Sequence, residues 1–195
     1  MLLDKPIYFQ LRDIKTNEAD WHMMFRAIGY VPLWLILSIG VVLYDRKQAK
    51  QQSHPISSHL RYRGFMLFNG ALLGGLLSGG LKVFLRRERP ILNDGEYVFR
   101  PFDDDMWDGG GLGLPSGHTA VAFGGMWMMS FLFPVFRPIC LIFACGCAFT
   151  RLFRGAHFFS DTYVSAVMML IVCWLLWRWH VRCIENDRAS ITDRE

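Results

Sequence analysis

Apolar and polar positions alternate along this chain in long blocks rather than in single steps. Five apolar runs stand out, at 28–44, 64–85, 119–136, 138–153 and 161–179, separated by polar connections. A helix needs about 20 residues to cross the hydrocarbon core of a bilayer, and about 17 suffice. Each run is therefore predicted to be a membrane-crossing helix. The run at 138–153 is the shortest and carries Arg151 near its end, so it is predicted to be a buried span between two stronger ones. The pattern predicts an all-α fold: a polytopic helical bundle of about five spans in a single domain over 1–195. Its core covers 28–180, and a polar tail follows over 181–195.

Residues 1–27 read differently. They mix Asp4, Lys5, Arg12, Asp13, Glu18 and Asp20 with Ile7, Phe9, Leu11, Ile14, Trp21, Met24 and Phe25. A compact apolar core of the signal-peptide kind is missing. Two predictions stay open for this segment: an amphipathic helix lying on the bilayer surface, or a soluble cap helix. In the second run Gly70, Gly74, Gly75, Gly79 and Gly80 place small residues about four apart, a spacing that lets helix backbones approach closely in lipid.

Composition agrees with a membrane class. Hydrophobic residues make up 52% of the chain and charged residues only 19%, too little charge for an ordinary soluble domain. The net charge of +4 is modest, and basic and aromatic residues are not interleaved as in a nucleic-acid strip, so nucleic acid is not an expected partner. The charge is informative for orientation instead. Arg46, Lys47, Lys50, Arg61 and Arg63 lie between runs one and two against Asp45, Arg137 lies between runs three and four, and Arg182, Arg188 and Arg194 follow run five. If the runs alternate, these segments share one side, which the positive-inside rule makes cytoplasmic. The other side then receives 82–89, the loop after it, and 151–161.

Two further groups are expected to be inert. Cys140, Cys145, Cys147, Cys173 and Cys183 have no metal-ligand partners at the usual spacing and are predicted to be free thiols. The loop before residue 114 carries Asp94, Glu96, Asp103, Asp104, Asp105 and Asp108. Three consecutive aspartates do not alternate as ligands in a cation loop do, so a solvated acidic loop is predicted and no metal.

Three blocks carry candidate chemistry, each beside an apolar run. Lys82 and Arg89 are seven apart, which would put them on one helix face after two turns, with Pro90 ending the helix. Read alone they are either interfacial anchors, like Arg86 and Arg87 between them, or anion ligands. In Pro115-Ser116-Gly117-His118, Ser116 is placed to cap the next helix with its hydroxyl, and the exposed N–H groups of such a helix start point towards an anion. In the third block His157 and Asp161 are four apart, a spacing that allows a carboxylate–imidazole hydrogen bond if a helix starts there. An ion pair between Arg151 and Asp161 is the structural alternative.

Taken together, Lys-x6-Arg-Pro, Pro-Ser-Gly-His and Arg-x5-His-x3-Asp in this order resemble the three signatures of the type 2 phosphatidic acid phosphatase (PAP2) superfamily, bacterial membrane lipid phosphatase branch. The resemblance spans about 64–179, with Thr150 standing where the family usually has Ser before the Arg. It implies that His157 is the nucleophile and forms a phosphohistidine, that Asp161 orients it, and that His118 protonates the leaving oxygen. Lys82, Arg89 and Arg151 would hold the phosphate, helped by Ser116 and the Gly117 N–H. It further implies hydrolysis without metal or other cofactor. The expected substrate is a lipid phosphate: a polyprenyl diphosphate, phosphatidylglycerol phosphate, phosphatidate or a lipid A phosphate. Other readings are a lipid-to-lipid phosphotransferase and a non-catalytic anion-binding membrane protein. The expected setting is the bacterial inner membrane, with the site facing the periplasm, the C-terminus in the cytoplasm and no obligate protein partner. His22, His54, His59 and His180 are not expected to join the site.

Overall fold

The computed structural model describes residues 3–12, 20–51, 62–103 and 109–192, with side chains up to residue 185. The segments that carry His54, His59 and Arg61, the acids Asp104, Asp105 and Asp108, and Asp13, Glu18 and Arg194 lie outside the described residues. Seven α-helices occur in the described part: α1 (Asp4–Leu11), α2 (Asp20–Ala27), α3 (Val31–Gln51), α4 (Arg63–Leu85), α5 (Gly117–Leu132), α6 (Arg137–Phe153) and α7 (Phe159–Thr192). The only β pairing among these residues is two isolated bridges, Arg87 with Phe99 and Glu88 with Leu112.

Three helical stretches are long and apolar enough to cross a membrane: α4, Pro134–Phe153 and Phe159–Glu185. A fourth arises if α2 and α3, bent by 66° at the break between them, form one broken span. The run at 119–136 differs from expectation. Its helix stops at Leu132, because Pro134 opens a separate 3-10 turn over Pro134–Phe136 and proline cannot supply the N–H that would continue α5. With 16 residues, α5 is ~24 Å long, short of the ~30 Å hydrocarbon core. The polar residues after 180 begin as helix, since α7 continues without a break to Thr192.

Short α5 forms the centre of the bundle. It packs against α4, α6 and α7, with α3 outside α4, α2 against α6, and α1 against α6 and α7. Glycine makes the central crossing possible. A Cβ added to Gly124 would lie 2.1 Å from the Gly70 carbonyl oxygen, and one on Gly74 would lie 2.4 Å from the Ala120 oxygen. The two backbones are thus in direct contact, as small residues permit in lipid. Gly79 and Gly80 face open space, so only the first half of the glycine stripe serves this crossing. Trp34 from α3 is fully buried over Gly125 and donates its indole N–H to the Ile28 carbonyl at 2.8 Å.

Outside this core the helices turn large apolar side chains outward: Ile36 on α3, Phe84 on α4, Ile142 on α6 and Leu175 on α7 are all exposed. An apolar surface of that extent suits lipid rather than water. At one end of the bundle Asp45 and Arg63 pair at 3.4 Å and join α3 to α4. At the other end lie the C-terminus of α4, the start of α5, the end of α6 and the start of α7, so all three candidate blocks meet there.

Candidate active site

Chain reversals, more than helices, deliver the functional side chains. Lys82 lies in the last turn of α4, but Arg89 does not share that helix. Arg86 adopts a left-handed conformation (φ 48°) and donates its N–H to Lys82 O at 2.9 Å, which closes α4 four residues before Pro90. The expectation of one helix face for Lys82 and Arg89 is corrected accordingly. Residues 87–89 run extended between two neighbouring segments. Arg87 O accepts from Gly113 N at 2.7 Å, Arg89 N donates to Gly111 O at 2.8 Å, and Arg100 N donates to Arg86 O at 2.9 Å. This stitching carries Arg89 back over the end of the bundle.

One cavity of about 440 Å³ gathers most of the predicted residues. Lys82, Arg89, Gly117, His118, Arg151 and His157 line it, together with Arg26, Ile91, Arg154 and Ala156. No carboxylate stands among these lining residues. Arg151 is buried, and its Nε and Nη1 have no hydrogen-bond partner among the described residues. Buried guanidinium donors without partners are costly, so this geometry suits an incoming anion. The Arg151–Asp161 ion pair entertained from sequence does not form, because Asp161 pairs with Arg87 instead.

His157 follows Gly155, whose φ of +62° turns the chain after α6 in a conformation that favours glycine. The imidazole is almost wholly buried, with Nδ1 3.4 Å from Asp161 Oδ2, so Nε2 is the nitrogen left for the cavity. Burial pushes the His157 pKa down to about 4, against the opposing pull of Asp161, and the ring is neutral at pH 7. Asp161 itself sits behind His157 in the first turn of α7 and accepts the Phe158 N–H at 2.8 Å, as the acidic member of a capping box does.

The sequence reading missed what holds Asp161. Arg87 was expected to be a surface anchor, yet Arg86 and Arg87 are both fully buried. Arg87 Nη2 donates to Asp161 Oδ1 and, at 2.7 Å, to Ser160 Oγ. Ser160 Oγ in turn donates to Asp4 Oδ2 at 2.6 Å, and Ser160 N donates to Asp4 Oδ1 at 2.7 Å. Tyr97 completes the group, its hydroxyl 3.1 Å from Asp4 Oδ2. Burial first, and the Asp4 charge second, push the Tyr97 pKa up to about 12, so the phenol remains a donor. Asp4 belongs to α1, which thus caps the site from its N-terminal side. The helix α1 packs on α6 and α7 beside the site.

Ser116 needs a second correction. It occupies the N-cap of α5 but makes no side-chain cap. It is fully buried, its Oγ accepts from Thr119 Oγ1 at 3.0 Å, and it is not among the cavity-lining residues. Its backbone is clamped instead: Ser116 N donates to Asp161 O at 3.2 Å, and Ser165 Oγ donates to Ser116 O at 3.1 Å. This clamp fixes Gly117 and His118 against the His157 side. Thr150 likewise turns its hydroxyl to Cys147 O at 2.7 Å, within its own helix. His22 is buried 3.3 Å from Thr150 O and does not line the cavity.

Fold and site together define an all-helical membrane protein with a cation-lined cavity at one end of its bundle. The chain belongs to the PAP2 superfamily, whose family profile matches residues 63–185, more than half of its length. Membership and the apolar helices make it a membrane protein of the phosphatase type. Among curated proteins and among solved structures nothing matches the chain. The family match contains all three candidate blocks and Arg87, while Asp4 and Arg26 lie ahead of it.

Proposed function

We propose that the protein hydrolyses a phosphate ester or diphosphate of a membrane lipid through a phosphohistidine at His157. The observation that carries this reading is the single cavity in which a neutral imidazole backed by a buried carboxylate faces Lys82, Arg89 and Arg151. His157 Nε2 attacks phosphorus, the bond to the leaving oxygen breaks, and His118 gives that oxygen a proton. Water then attacks the phosphohistidine, with His118 taking the proton back. The three cations and the Gly117 N–H stabilise the charge on the non-bridging oxygens, which is where phosphoryl transfer needs it. Three fixed cations do here what a metal does in other phosphatases, so the reaction proceeds without one.

The cavity opens at the end of the apolar bundle, which suits a phosphate held at the headgroup plane. The basic connections at the opposite end support a cytoplasmic C-terminus and a site on the far side of a bacterial inner membrane. The test is phosphate release from a panel of lipid phosphates by the full-length protein in detergent, with chelator present and with His157→Ala as control. Release by wild type that persists with chelator and vanishes in His157→Ala is expected. Turnover that survives His157→Ala, or that needs a divalent cation, would sink the mechanism.

A further inference from the structure

The cavity holds more positive charge than one phosphate requires. A phosphate monoester carries about −1.5 to −2 at pH 7, and Lys82, Arg89 and Arg151 already exceed that. Arg26 and Arg154 add two more guanidinium groups to the same wall. Its volume, about 440 Å³, lies within the ~300–1,000 Å³ of sites that hold whole small molecules. Among the described residues neither added arginine is engaged by a carboxylate, and Arg26 Nε is buried without a hydrogen-bond partner.

Arg26 can be assigned to a side of the site. It ends α2, and the turn that follows packs directly on His118. A Cβ on Gly29 would lie 2.8 Å from His118 Cβ, and the Tyr30 ring meets the His118 ring edge-on at 4.8 Å. The Arg26 guanidinium lies 5.8 Å from the centre of that same Tyr30 ring. Arg26 therefore stands beside the proposed proton donor, on the leaving-group side, opposite Asp161 and the rear of His157. Arg154 is exposed one turn after Arg151, at the mouth.

Resting on the phosphohistidine reading above, we infer that Arg26 and Arg154 form a second anion subsite that takes the inner phosphate of a lipid diphosphate. The terminal phosphoryl group then passes to His157 Nε2. The bridging P–O bond breaks, the bridging oxygen keeps the electron pair and takes the His118 proton, and a lipid monophosphate leaves from between Arg26 and Arg154. Arg26 comes from outside the family-matched residues and Arg154 from within them, so the subsite joins the N-terminal segment to the matched core.

Farnesyl diphosphate and farnesyl monophosphate, given to the full-length protein in the same detergent, share a tail and differ by one phosphate. Wild type is expected to show the higher kcat/KM on the diphosphate. A charge-assisted hydrogen bond contributes about 1.5–3 kcal/mol, so Arg26→Ala and Arg154→Ala should each lower the diphosphate-to-monophosphate ratio of kcat/KM by roughly 10- to 100-fold. Arg26→Lys should retain part of the ratio. A ratio unchanged in both alanine variants, or a wild type that prefers the monophosphate, would overturn the subsite. Wild type that releases phosphate from none of these substrates would instead overturn the phosphatase reading itself.

Discussion

Replacing Arg87 with methionine separates a surface anchor from a buried support. Met keeps most of the length and volume of Arg but carries no charge and no donors. In the structure Arg87 and Asp161 are 1% and 0% exposed and paired, and Arg87 also holds Ser160. Breaking a buried pair by removing one partner costs about 3–5 kcal/mol, because the remaining charge stays buried. An exposed anchor would cost less than about 0.5 kcal/mol. For a chain of this size each kcal/mol shifts the midpoint by roughly 2–4 °C, so Arg87→Met should melt about 6–20 °C lower in detergent. The freed Asp161 should also let His157 rotate and cut kcat by at least about tenfold, the equivalent of roughly 1.4 kcal/mol. Exposed Arg46 on α3 supplies the control, with Arg46→Met expected to move neither readout. A midpoint within 2 °C of wild type (about the precision of the melt) together with unchanged kcat would refute the assignment of Arg87 as the carboxylate's support.

Three other outcomes follow from the same geometry. Asp4→Asn turns an amide donor towards the Ser160 and Tyr97 hydroxyls, and should cost about 1–3 kcal/mol of stability with a several-fold drop in phosphate release. Gly124→Ala drives a Cβ to 2.1 Å from Gly70 O and should lower the melting midpoint by at least the equivalent of about 1–3 kcal/mol, whereas Gly79→Ala, facing open space, should leave or raise it. Burial pushes the His157 pKa down to about 4, so the nucleophile stays unprotonated as pH falls through the ordinary histidine range. Once the substrate phosphate's own ionisation at about pH 6 is factored out, the enzyme's acid limb of kcat/KM should lie well below that range. A residual enzyme limb at about 6.5 would count against His157 as the desolvated group described.

Much of this architecture was legible in the chain. Block-wise apolar runs predicted helices in nearly their observed places, because a helix that crosses lipid must satisfy its own backbone and hide few charges. The three motifs predicted the cavity, since Lys82, Arg89, Gly117, His118, Arg151 and His157 all line it. What stayed hidden depended on chain reversals. A helix drawn from Lys82 through Arg89 makes Arg87 an outward anchor. In the extended segment that forms instead, residues two apart share a face, and Arg87 turns inward with Arg89. That signal was available in Arg86-Arg87-Glu88-Arg89 once α4 was ended at Leu85. Asp4 and Arg26 had no comparable signal. Each reaches the site through tertiary packing of α1 and α2, at sequence separations over which no local periodicity speaks. Ser116 was misjudged for the opposite reason, because its N-cap position predicted a local hydrogen bond that Thr119 took over.

The central claim, a phosphoryl group carried on His157, is tested most directly by trapping it. Full-length protein mixed with a lipid substrate labelled in its terminal phosphate should, on rapid quenching, carry label that survives alkali and is lost in acid, as a phosphoramidate is. Peptide mapping should place that label on His157, and His157→Ala should carry none. Label that maps elsewhere, or that persists in His157→Ala, would contradict the account.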